Sequence, residues 1–189
     1  MYKLKVISST VRPGRKGPAI AKWITDAAKD HGFEVELLDL GEINLPLMNE
    51  PIHPMMRQYE HEHTKQWSAK IDEADAFIFV TGEYDYSYPA SLKNAIEYLL
   101  HEWAYKPAGI VSYSAGPYAG VRAVMSLKGD LLSLKVISLG EMVNIPMLNQ
   151  FINENGVFVA DEKLTAASKI MFGQLARWTK GLKAIKEDK

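Results

Sequence analysis

The sequence predicts a doubly wound α/β fold, a parallel sheet with helices on both faces. Three observations carry this expectation. Short apolar runs alternate with longer segments of helical period, as repeated βα units require. The chain has 189 residues, 47% of them hydrophobic, which is about one domain's worth with enough apolar surface for a core. Its polar, glycine-bearing connections follow the first, third and fourth apolar runs, and ligands of such sheets bind beyond the carboxyl ends of the strands. One domain spanning residues 1–189 is expected.

The elements follow in order. Residues 4–8 form the first strand, and 18–31 a helix whose apolar face is Ile20, Ala21, Trp23, Ile24, Ala27 and Ala28, stopped by Gly32. Residues 33–38 read as the second strand. Residues 44–63 carry Pro46, Pro51, Pro54 and three histidines without a period, and read as a long loop with room for a helical turn; such loops are uncommon unless functional. A helix over 64–73 leads into AFIFVT, residues 76–81, the strongest buried-strand signal in the chain. A helix over 92–103, a strand over 109–113, a helix over 119–132, the start of a fifth strand over 135–139 and a long helix over 161–182 complete the pattern, with a charged tail at 183–189. No internal repeat or linker is visible.

Composition excludes several classes. With 22 Lys and Arg against 23 Asp and Glu, no global field recruits nucleic acid or an anionic membrane, so any anion site must be local. The absence of cysteine removes disulfides, zinc-thiolate and iron–sulfur centres and thiol catalysis. The N-terminus lacks the apolar core of a signal peptide, and no segment approaches 18 consecutive apolar residues. A cytoplasmic protein is expected.

Three loops carry the chemistry. SSTVRPGRKGP, residues 8–18, sets Arg12, Arg15 and Lys16 among Ser9, Thr10, Gly14 and Gly17 directly before a helix whose N-terminus offers unpaired N–H groups, a combination that suits a terminal phosphate. It contains neither G-x-G-x-x-G nor G-x-x-x-x-G-K-[ST]. TGEYDYSYPASLKN, residues 81–94, crowds Tyr84, Asp85, Tyr86, Ser87 and Tyr88 where a strand hands over to a helix. In SYSAGPYAGVRA, residues 112–123, Gly116 and Gly120 permit close backbone approach. Singly, each reads as well as a solvated turn or ordinary punctuation. Together, converging on one sheet edge, they describe a site for a flat heteroaromatic mononucleotide.

These three motifs resemble those of the NADPH-dependent FMN reductase family, which includes quinone, azo-dye and chromate reductases. The family patterns G-S-x-R-x-x-S/G, T-P-E-Y-N-x-S-x-P-G-x-L-K-N and S-x-G-x-x-G-G-x-R-A match the three loops, and the resemblance spans roughly residues 3–132. It implies a flavodoxin-like three-layer sandwich whose five-stranded parallel sheet runs in the order 2-1-3-4-5. It also implies FMN as cofactor, NADPH or NADH as hydride donor, and a small-molecule electron acceptor such as a quinone in a ping-pong cycle. Homodimers or homotetramers are typical of the family. By that resemblance Ser9, Arg12, Arg15, Lys16 and Gly17 hold the phosphate, Glu83, Tyr84, Asp85 and Tyr86 border the ribityl chain and ring, and Ser114, Ala115, Gly116 and Gly120 approach the ring edge. The chemistry would rest with the cofactor, so no catalytic residue is assigned. A flavodoxin-type electron carrier or a redox-gated flavin-binding protein are the alternatives.

The chain departs from the family at Gly82, usually Pro, at Asp85, usually Asn, at Ala90, usually Gly, and at Pro117, which interrupts the third motif. His53, His61 and His63 with Glu60 and Glu62 include an H-x-H, but no further ligand pattern accompanies it, and no metal site is expected. The loop at 44–63 reads either as a cover for a neighbouring subunit's flavin or as a local surface loop. Tyr98, His101 and Trp103 are expected at a subunit contact.

Overall fold

The structure is a computed structural model that describes residues 1–187. A parallel sheet takes the order β2-β1-β3-β4-β5, with β6 also paired to β4. Strand β1 is Tyr2–Ser8, β2 Phe33–Asp39, β3 Ala76–Gly82, β4 Pro107–Tyr113, β5 Ile137–Ser138 and β6 Val143–Ile145. The helices are α1 Gly17–Lys29, α2 Leu40–Ile43, α3 Glu62–Asp72, α4 Ala90–Glu97, α5 Val121–Ser133 and α6 Glu162–Glu187. The expected flavodoxin-like order is therefore present, with a sixth strand added.

The period-2 alternation of the strands splits the core into two layers. Ile7, Phe77, Phe79 and Ile110 pack under α3, α4 and α5, while Val6, Ile78, Val80 and Val111 pack under α1 and α6. All seven residues of β3 and of β4 are buried, as central parallel strands covered on both faces require.

Three expectations need correction. The helix expected over 92–103 stops at Glu97, and a 3₁₀ turn at His101–Trp103 follows. The reason is tertiary: the buried indoles of Trp67 and Trp103 donate to the carbonyls of Ala95 (2.8 Å) and Ile96 (3.3 Å), satisfying acceptors that a continuing helix would have used. The fifth strand is interrupted: β5 pairs with Pro107 and Ala108, β6 with Val111 to Tyr113, and residues 140–142 leave the sheet between them. The break falls at Gly140 and Glu141, both poor strand formers. Finally, the charged stretch expected as a tail from 183 continues α6 through Glu187, with Lys183 paired to Asp75 at 2.7 Å; residues 188–189 lie outside the described residues.

The loop at 44–63 is tied down rather than loose. It holds α2's left-handed cap at Asn44 and a 3₁₀ turn at Pro54–Met56. Asn94 bonds Met48 N and Pro46 O, Tyr98 Oη bonds Pro46 O and Asn49 Oδ1, and Tyr59 Oη bonds the fully buried carboxylate of Glu102. In consequence Tyr98, expected at a subunit contact, is wholly buried against this loop, and Trp103, expected there too, is wholly buried against Trp67, Phe77 and Phe79.

Candidate functional site

The first loop leaves β1 through three buried hydroxyl residues, Ser8, Ser9 and Thr10, and enters α1 at Gly17. No side chain caps the first turn of α1 and no acidic residue sits in it, so although Pro18 has no N–H and Ala19 N donates to Lys16 O at 3.2 Å, its positive dipole end is left for an anion. Ser8 Oγ, Ser9 Oγ and Arg15 Nε are buried without a hydrogen-bond partner. Buried polar groups are almost always paired, and three orphans within one eight-residue stretch mark a place where a polar ligand belongs. The rest of the Arg15 guanidinium is braced: Nη2 donates to both oxygens of Asp39 at 2.9 Å, and Asp39 accepts from Gly41 N at 2.8 Å. A Cβ on Gly41 would lie 2.6 Å from Arg15 Cζ, so a larger residue there would displace the guanidinium from this position.

The second loop closes on itself. Tyr84 and Ser87 exchange backbone hydrogen bonds of 2.8 and 2.9 Å around a two-residue turn, with Asp85 and Tyr86 at φ +48° and +67°. Left-handed backbone at two successive positions is the geometry that Asn and Gly favour, and a tyrosine there costs about 1–2 kcal/mol. Tyr86 is held by Arg122, whose guanidinium lies 4.0 Å from its ring and 5.0 Å from that of Tyr118. Each such contact returns about 0.5–1 kcal/mol at an exposed site. Glu83, just before the turn, accepts from Arg122 Nη2 at 2.6 Å, Nε at 2.8 Å and backbone N at 3.2 Å. Burial pushes the Glu83 carboxyl up, but the hydrogen bond and charge of Arg122 outweigh it and hold the group below its ordinary value. Glu83 and Arg122 thus rivet the second loop to the third.

The third loop is stitched to the chain after β6. Leu148 N donates to Ser114 O at 3.0 Å, Met147 N to Gly116 O at 2.9 Å, and Ser114 Oγ to Gly116 O at 2.9 Å. Gly120 caps α5 at φ +75°, where a Cβ would lie 2.9 Å from the carbonyl of Tyr113.

The loops enclose a cleft of about 350 Å³ at the carboxyl ends of the strands. Of the residues expected at the site, Arg12, Arg15, Lys16, Glu83, Tyr84, Ser114 and Ala115 line it. Ser9 is buried and Gly17 opens α1; Asp85 and Tyr86 form an exposed tip, and Gly116 and Gly120 shape the third loop without lining the cleft. Sequence reasoning missed Tyr113, Arg122, Leu148 and Asn149. The first two stand inside the third motif and were visible there as its aromatic and its cation. The last two reach the cleft only because β6 returns the chain to it, and no local signal marks them. A larger groove of about 550 Å³ lies between α1 and residues 156–158, away from the strand ends, and its Lys22 and Asp26 pair with each other. Among the described residues no three His, Asp or Glu side chains gather as a metal ion would need. The same residues include no helix long and apolar enough to cross a membrane.

Comparison with known proteins agrees with this geometry. The family model for NADPH-dependent FMN reductases matches residues 2–150. An NAD(P)H-dependent FMN reductase of Schizosaccharomyces pombe is 43% identical over 149 residues, 76% of this chain and 74% of that protein. A quinone reductase of Pseudomonas putida is 30% identical over 139 residues, 71% of this chain and 72% of that protein. In fold the chain is similar to a flavoenzyme NAD(P)H:(acceptor) oxidoreductase from Paracoccus denitrificans, with a TM-score of 0.73 at 23% identity over 97% of this chain and 98% of that one. With the sheet order, the three loops and these matches in agreement, the chain belongs to the NADPH-dependent FMN reductase family and is an oxidoreductase that works with FMN and NAD(P)H.

Proposed function

We propose that the chain is a cytoplasmic NAD(P)H:acceptor oxidoreductase, built as one domain, that binds FMN in the cleft and reduces a quinone, free flavin or similar small acceptor in a ping-pong cycle. The observation that carries this reading is the set of orphaned buried donors at the uncapped N-terminus of α1, in the loop whose Arg12, Arg15 and Lys16 line a cleft shared with Tyr84 and Tyr113. The residues fit the group: Arg12, Arg15 and Lys16 supply charge for a phosphate, Ser9 an unpaired hydroxyl, and Gly17 the first free turn of the helix. Glu83, Tyr84, Asp85 and Tyr86 would border the ribityl chain and the polar ring edge, while Ser114, Ala115, Gly116 and Gly120 would meet the rest of the ring. FMN, when bound there, supplies the acceptance of hydride from NADPH or NADH and its passage to the acceptor.

The chain's own part is to bind, orient and shield. The Glu83–Arg122 rivet fixes the second and third loops relative to each other. No side chain is asked to act as nucleophile or general acid. The quinone reductase similarity and the exposure of Tyr84, Asp85 and Tyr86 beside the cleft support a single exposed ring face that donor and acceptor share in turn. Double-reciprocal plots against NAD(P)H at several quinone concentrations should therefore run parallel. Intersecting lines would indicate a ternary complex and a different site layout.

A further inference from the structure

Tyr113 is the last residue of β4, and its ring does not stay over its own strand. A Cβ placed on Gly82, at the end of neighbouring β3, would lie 3.2–3.4 Å from the Tyr113 ring and hydroxyl. One placed on Gly17, the first residue of α1, would lie 2.7 Å from Tyr113 Oη and 2.4 Å from Thr10 Oγ1. The ring therefore crosses β3 and delivers its hydroxyl to the N-terminus of α1, where it shares a hydrogen bond of 3.1 Å with Thr10 Oγ1. Two glycines make the room for it. Gly82 stands where the family resemblance has proline, whose Cβ would crowd the tyrosine ring and hydroxyl at 3.2–3.4 Å.

Ser8 completes the cluster. Its hydroxyl is fully buried, has no partner, and lies 3.6 Å from the position a Gly17 Cβ would take. Each hydroxyl carries one hydrogen. The Thr10–Tyr113 bond uses one of the three and leaves two with no acceptor, at a helix end whose own first-turn N–H groups no side chain caps. An arrangement this rich in donors and poor in acceptors wants an anion with several acceptor oxygens. Tyr113 also lines the cleft beside Arg12, Arg15 and Lys16, so its side chain and the cations border one volume.

Resting on the FMN reading above, we propose that Tyr113 is a phosphate-recognition residue: its hydroxyl, with those of Thr10 and Ser8, completes the donor set for the terminal phosphate and makes the site prefer a phosphorylated flavin to an unphosphorylated one. Burial pushes the phenol up to about 12, so the group remains a neutral donor throughout the physiological range.

The test is the ratio of two affinities measured on apoprotein by flavin-fluorescence titration, FMN against riboflavin, in the parent and in Tyr113→Phe. The substitution keeps the ring and its packing and removes only the hydroxyl. A donor lost to a charged group predicts an FMN affinity at least about fivefold weaker with riboflavin affinity unchanged. Equal weakening of both flavins, or no change in either, overturns the proposal and makes Tyr113 a packing residue. Thr10→Val, which removes the partner hydroxyl from the opposite side, is expected to shift the ratio the same way and decides the matter should Tyr113→Phe fail to fold. The parent separates the two levels of the argument. If it binds FMN no tighter than riboflavin, the first loop is not a phosphate site and the proposal falls with it; if it discriminates and both variants discriminate equally, only the proposal falls.

Discussion

Arg12 and Arg15 are interchangeable in the sequence and unlike in the structure. Arg12 is exposed at the cleft rim, whereas Arg15 is pinned to the buried carboxylate of Asp39 and keeps an unpaired buried Nε toward the loop. Arg15→Ala should therefore lower stability by about 1.5–3 kcal/mol, because Asp39 loses its charged partner, while Arg12→Ala stays within about 0.5 kcal/mol of the parent. Urea midpoints check both figures. Flavin titration of the double variant should show affinity at least about tenfold weaker, and an unchanged affinity would make the loop purely structural. Asp85 shows how a residue's type is legible while its reason is not. Motif matching placed it beside the ring's polar edge, in the family's asparagine position. The structure adds a backbone cause, since φ of +48° at an exposed turn suits Asn and Asp alike. Glu83 and Arg122 were both on view in the motifs, but their pairing crosses 39 residues and no spacing rule announces it.

At the scale of elements, what was local was readable. Strands β1 to β4 and helices α1, α3 and α5 begin and end within a few residues of their expected places, because apolar period and glycine stops are local signals. The misread ends, by contrast, have tertiary causes: α4 yields to two indoles, and α6 runs on where Lys183 meets Asp75. Strand β1 carries one further element-scale device, the buried Lys5, whose ammonium pairs with Glu36 on β2 and with Glu73 after α3. Hydrogen bonds from Lys5 and Lys3 hold the Glu73 carboxyl down at about 2; burial raises Glu36, but Lys5 and Lys70 outweigh it and leave it lowered. A depressed folded-state value means stability that is complete above the ordinary carboxylate range and lost as pH falls through the lowered one. Urea midpoints should fall between about pH 4.5 and pH 2, and Lys5→Met should flatten that dependence. A parent with no loss in this window would remove the cluster from the account.

For the whole molecule, the sheet order and the convergence of three loops were legible because both follow from the alternation of elements and from where ligands bind in doubly wound sheets. The return of β6, which brings Leu148 and Asn149 to the cleft, was not, since it depends on a break at Gly140 and Glu141 inside one apolar run. Assembly belongs to this scale as well. Exposed Tyr86 and Tyr118 flanking Arg122 above an open cleft favour a second copy as cover, and we expect a homo-oligomer. Light scattering at micromolar concentration giving a mass near 21.2 kDa would refute that expectation without touching the site. The central claim, that bound FMN turns this cleft into an NAD(P)H:acceptor oxidoreductase, is tested most directly by the initial rate of NADPH oxidation with a quinone as apoprotein is titrated with FMN. The account predicts a rate that rises in proportion to flavin occupancy and levels off when the site is full. A protein saturated with FMN whose rate does not exceed that of free flavin at the same concentration would contradict it.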